Sequence, residues 1–166
     1  MITLENKVKV SDPCYEYDTW CSTVLENVEP GNYHTFVKYE NGDWGVRVAE
    51  LLAIHKRCSY DSTSYQWKLE NENIGVDSGQ CGIFNANYYK IQKKLDDIFK
   101  ERNGTEIDSD KWFYGRCCMG TKDPYNWAEI DGEGVVAASG YGDGVYELYT
   151  ITENDKIVGF KLVFID

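Results

Sequence analysis

A chain of 166 residues, 42% of them hydrophobic, can bury a sizeable core. Its formal net charge of −11 repels phosphate backbones and anionic lipid, which argues against direct nucleic-acid or membrane binding but not against a basic protein partner. Thirteen tyrosines and five tryptophans bring apolar bodies with polar handles, suited to pockets and surfaces as well as to a core. The opening MITLENKVKV lacks the apolar run of a signal peptide. No segment reaches the ~18 apolar residues of a membrane helix. A soluble cytoplasmic protein is expected, and its six cysteines then read as free thiols rather than a disulfide framework.

Along the chain, Lys7 to Val10 alternates as a first strand and runs into the Asp-Pro turn of Ser11-Asp12-Pro13-Cys14-Tyr15. Trp20 to Val28 is a second strand. After the turn Glu29-Pro30-Gly31-Asn32, the run Tyr33 to Glu40 places Tyr33, Thr35, Val37 and Tyr39 on one face. Asn41-Gly42 is a strong hairpin signal, with Trp44 to Ile54 as the partner strand. Lys56 to Ser64 reads as a loop, and Tyr65 to Leu69 and Ile74 to Val76 as short strands. The glycine-rich stretch Asp77-Ser78-Gly79-Gln80-Cys81-Gly82 follows.

The spacing of Tyr88, Ile91, Leu95, Ile98 and Phe99 predicts an amphipathic helix over about 86–102, capped by Asn85 or Asn87 and stopped at Asn103-Gly104. Beyond it, Lys111 to Met119 reads as a strand, as do Trp127 to Ile130 and Val135 to Ala138. Val145 to Ile151 and Ile157 to Ile165 form a terminal hairpin, with Phe160, Leu162 and Phe164 on one face. The predicted fold is mainly β (α+β). It is one domain over 1–166, an antiparallel β-sandwich or curled sheet with the 86–102 helix packed on it.

No catalytic set stands out. The only histidines are His34 and His55, and no Gly-x-Ser-x-Gly elbow occurs. The cysteine spacings lack the paired C-x₂₋₄-C pattern of structural zinc, and no EF-hand spacing is present. Neither Gly75–Gly82 nor Gly140–Gly144 matches a phosphate or dinucleotide loop. No metal or cofactor is therefore expected.

Three stretches share one format, a carboxylate with small or aromatic neighbours at a predicted strand end. They are Asp12-Pro13-Cys14-Tyr15, Asp77-Ser78-Gly79-Gln80 and Tyr141-Gly142-Asp143-Gly144. Strand-end loops of a sandwich cluster in space. Brought together, Asp12, Tyr15, Asp77, Ser78, Gln80, Tyr141, Asp143 and Tyr146 would line a pocket for a small polar or nucleotide-like ligand, its carboxylates accepting from O–H and N–H donors. Two other readings compete. An acidic protein could block a host nucleic-acid-binding defence enzyme in place of phosphate, or Asp12, Asp77 or Asp143 could serve a carboxylate-dependent hydrolase.

The motifs SDPCY at Ser11–Tyr15, DSGQCGIF at Asp77–Phe84 and SGYGDGVY at Ser139–Tyr146 together resemble a family of small bacterial and phage proteins defined as a domain of unknown function. The likeness spans most of the chain in the same order. It departs at Asn85, where that family places Asp. The resemblance implies a bacterial cell or a phage-infected host as the setting, and by extension a phage protein that sequesters a host immune signal. It supplies no catalytic residues.

Overall fold

Short apolar runs broken by glycine, asparagine and aspartate fold into two antiparallel sheets. A computed structural model describes residues 1–58, 65–90 and 109–166. Among them are β1 (Ile2–Leu4), β2 (Val8–Ser11), β3 (Thr23–Leu25), β4 (Gly31–Gly42), β5 (Gly45–His55), β6 (Lys68–Leu69), β7 (Ile74–Val76) and β8 (Gln80–Asn85). The helix α1 (Ser109–Gly120) follows, then β9 (Trp127–Ile130), β10 (Gly134–Ala138), β11 (Gly144–Glu153) and β12 (Lys156–Val163). One sheet runs β1–β4–β5–β12–β11–β6, with β7 also on β11. The other runs β3–β2–β8–β10–β9.

The two sheets face each other over one apolar layer. Val8, Val10, Ile83 and Val135 from the smaller sheet meet Tyr33, Leu51, Phe160 and Leu162 from the larger. Each outer face carries a further cluster. Phe84, Tyr88, Tyr89 and Val136 pack with Phe113 and Cys117 of α1. Leu52, Ile54, Ile151 and Val158 lie under Phe36, Tyr65 and Trp67. Covering on both sides explains why β5 reads Leu51-Leu52-Ala53-Ile54, all buried, rather than alternating. The expected antiparallel sandwich with one helix on it is the observed architecture among the described residues.

Of the helix predicted over 86–102, only the first residues lie among those described. Residues 86–90 form turns, and Lys90 has φ +52°, a left-handed value that cannot continue a right-handed helix. The rest of the predicted helix, 91–102, lies outside the described residues. Asn85 does not cap a helix. It is buried, its Oδ1 accepts from Glu5 N (2.7 Å), and its amide donates to Thr3 O and Glu133 Oε2 (both 2.7 Å). It thereby ties β8 to β1 and to the β9–β10 turn.

A helix among the described residues, α1, covers Lys111 to Met119, expected as a strand. A strand would send neighbouring residues to opposite faces. The apolar outer face of the smaller sheet is covered instead by a stripe with helical spacing, Phe113 and Cys117, both fully buried. The helix end is closed by Thr121, whose N and Oγ1 both donate to Cys117 O (3.1 and 3.2 Å).

Smaller differences are local. The long hairpin turns at Asp43-Trp44 rather than Asn41-Gly42, because Gly45 at φ +85° supplies the left-handed residue that follows such a turn. Strand Trp20 to Val28 shortens to β3, leaving Trp20 in a turn. Tyr65 to Leu69 shortens to β6. Only Asp77 to Gly79 of the glycine-rich stretch is loop; from Gln80 it is β8, inside the sheet and buried at every residue.

Candidate functional site

The register of the smaller sheet brings the three motifs to one end of the sandwich. Ser11 pairs with Gly82, and Ala138 with Gln80. The loops that leave β2 and β10 and the loop that enters β8 therefore lie side by side.

The first two motifs are joined by one side chain. Asp12 is fully buried. Its Oδ1 accepts from Cys14 N (2.8 Å) and Ser78 Oγ (2.6 Å), and its Oδ2 from Asp77 N (2.8 Å) and Ser78 N (2.7 Å). Four donors on two oxygens satisfy a buried carboxylate without a cation. Tyr89 braces the same loop from the other side, its hydroxyl donating into the carbonyls of Tyr15 (2.7 Å) and Asp12 (2.9 Å). With its lone pairs occupied, Asp12 is a latch between loops and is poorly placed for proton transfer. Beside it, burial and the Asp12 hydrogen bond push the Cys14 thiol up to about 12, so it stays protonated and weakly nucleophilic.

The third motif joins through its backbone. Ser139 N donates to Gly79 O (3.0 Å). The turn then closes on itself: Gly142 N donates to Ser139 O (2.8 Å), Ser139 Oγ to Gly142 O (2.8 Å), and the Tyr146 hydroxyl to Gly142 O (2.5 Å). Tyr141 and Asp143 project outward and are exposed.

An open cleft of about 490 Å³ lies beside this junction. Its floor is the ladder of β7 and β11, with Gly75 opposite Val145 and Val76 opposite Gly144. Its wall is the β2–β3 loop, fastened by Gly75 N to Cys21 O (2.8 Å). A Cβ on Gly75 would lie 2.8 Å from Cys21 Sγ, so only glycine lets floor and wall meet this closely. Tyr15, Trp20, Asn73, Asp77 and Val145 border the opening. Tyr15 Oη donates to Asp77 Oδ2 at 2.7 Å. Burial, and then this bond, raise the Tyr15 pKa well above the ordinary tyrosine value, so the hydroxyl remains a donor. Trp20 is 92% exposed.

Of the eight residues read from the sequence, Tyr15 and Asp77 line the cleft. Asp12 and Ser78 form the latch behind it. Gln80 is buried and staples the sheet to α1, its amide donating to Cys118 Sγ and its carbonyl accepting from Thr121 Oγ1 (both 3.2 Å). Tyr146 closes its own turn and stacks edge-on against Phe164 at 5.2 Å. Tyr141 and Asp143 share the end of the sandwich but not the cleft. Trp20, Asn73 and Val145 were not legible as site residues. The one available signal was a tryptophan inside the polar run Asp18-Thr19-Trp20-Cys21-Ser22, an awkward strand.

All six cysteines are free. No group of three His, Cys, Asp or Glu among the described residues is arranged to hold a metal ion. No helix among them is long and apolar enough to cross a membrane. No family model, curated protein or solved structure matches the chain.

Proposed function

We propose that this is a non-enzymatic binding protein that takes a small polar or nucleotide-like ligand in the Tyr15–Trp20–Asp77 cleft. One observation carries the reading: an indole almost wholly exposed to water stands at the lip of a concave site that also presents a carboxylate. A tryptophan is rarely left so bare without something to cover it. Apolar walls with a few converging polar groups suit a small organic molecule. The resemblance of the three motifs to a bacterial and phage family supports a setting in which such a protein sequesters a host signal.

The test is a panel of nucleosides, nucleotides and sugars, followed by thermal shift and tryptophan fluorescence. A hit that is lost in Trp20→Leu, at unchanged melting temperature, supports the reading. A hit that survives Trp20→Leu puts the site elsewhere.

The exposed Trp44, Tyr125 and Tyr141 favour a second reading, docking of an acidic protein on a basic defence enzyme. Tyr39 Oη donates to Tyr125 O at 2.7 Å, and the Tyr141 hydroxyl lies near Gly42, so these aromatics gather around the hairpin tip. Salt-sensitive co-purification of a DNA-binding host protein that disappears in Trp44→Ser and Tyr141→Ser would favour this reading over the first.

A further inference from the structure

The charge of the cleft narrows its ligand. Among the described residues, Asp77 is the only lining residue that carries a charge at neutral pH, and no lysine, arginine or histidine of theirs borders the site. Its Oδ2 is occupied by the Tyr15 hydroxyl, while its Oδ1 accepts no hydrogen bond among the described residues. Neighbouring rings come from Tyr15 and Trp20, and alkyl surface from Val76 and Val145. The whole chain, at −11, raises the local concentration of cations and repels phosphate esters.

We infer that the cleft takes an organic cation, an alkyl-substituted ammonium whose charge sits between the Asp77 carboxylate and the Trp20 indole. An aromatic face attracts such a nitrogen through its quadrupole, and the alkyl groups keep it from being too strongly hydrated to leave water. A carboxylate in the same site adds direct charge pairing and, for a nitrogen that retains N–H, a hydrogen bond to the open oxygen. A phosphorylated ligand would meet a like charge, with no cation among the described lining residues to offset it. The inference rests on the cleft being a ligand site and says which class of ligand enters it.

The test compares choline with its uncharged isostere 3,3-dimethylbutan-1-ol, and adds adenosine as a flat neutral probe. All three are titrated by tryptophan fluorescence and calorimetry against the full chain, Asp77→Asn and Trp20→Leu. The expected result is saturable choline binding at least tenfold tighter than that of the neutral alcohol. It should weaken roughly tenfold in each variant and fall with rising salt. Both variants change exposed side chains, and an unchanged melting temperature confirms that they fold. Equal affinity for the alcohol and choline overturns the inference. Adenosine binding that depends on Trp20, with no response to choline, also overturns it but leaves the cleft as a ligand site. If no probe, including the wider panel, binds in a Trp20-dependent way, both fall.

Discussion

Asp12 and Asp77 come from similar strand-end turns and stand next to each other, Asp12 Oδ2 accepting the backbone N–H of Asp77. Their situations are opposite. Asp12 is sealed in and has four donors on two oxygens. Asp77 is exposed and takes one hydroxyl. What separates a structural carboxylate from one open to a ligand is therefore not residue type or motif. It is how many donors the neighbouring backbone already aims at it. The latch also fixes the Asp77–Ser78 backbone from behind, so the open carboxylate is presented from a rigid support.

The largest loss is expected at Asp12. Asp12→Asn sets an amide donor against N–H groups that need an acceptor, and costs about 3–5 kcal/mol, because hydrogen bonds to a charged group contribute about 1.5–3 kcal/mol each. Urea unfolding measures it, and a loss below about 1 kcal/mol would contradict the latch. Tyr89→Phe, which removes the brace on the same loop, should cost about 1–2 kcal/mol.

Alkaline pH acts on the supporting layer. Burial raises the pKa of Tyr33, Tyr88 and Tyr89 above the ordinary value of 10.0. A raised folded-state pKa means that stability is fully present below pH 10. Above it, the unfolded chain loses tyrosine protons that the folded chain keeps, and stability falls by up to about 1.4 kcal/mol per pH unit for each such group. Urea midpoints should drop above pH 10, and Tyr88→Phe should flatten that slope. A midpoint independent of pH up to 11 would refute the assignment.

Gly75→Ala drives a methyl to 2.8 Å from Cys21 Sγ and should cost about 1–3 kcal/mol by overpacking. It should also weaken any cleft ligand, whereas Gly115→Ala, at a helix position with open space, should not destabilise.

Much of this architecture is legible before folding. The hairpin of β4 and β5 and the terminal hairpin of β11 and β12 follow from period-two alternation and from turn residues, because each is a local pairing. The helix at Lys111 to Met119 reads as a strand in sequence for a physical reason. Lys111 to Met119 mixes aromatic, cysteine and glycine residues without a clear period, and only the sheet beneath selects Phe113 and Cys117 as the facing pair. The motif residues could be grouped at one end of a sandwich, since strand-end loops gather there. Their roles could not be assigned. Ser78 and Gln80 look as available in sequence as Asp77, yet Ser78 is spent on Asp12 and Gln80 on Cys118 and Thr121. Donor counting needs the non-local neighbours. Trp20 escaped for the converse reason, because exposure at a cleft lip leaves no mark on periodicity.

The smallest effect on stability is the sharpest test of the comparison. Asp77→Asn keeps an oxygen for the Tyr15 hydroxyl and removes only the charge, at a site open to water. Its cost should stay within about 0.5 kcal/mol, against the several kcal/mol of the same substitution at Asp12. Removing a negative charge from a chain at −11 also relieves a little self-repulsion, so a slight gain is within the expectation. A loss approaching that of Asp12→Asn would mean that Asp77 shares the latch and that its open oxygen is incidental. Near-silence in unfolding, combined with loss of ligand, would mean that the chain keeps this carboxylate for what it binds.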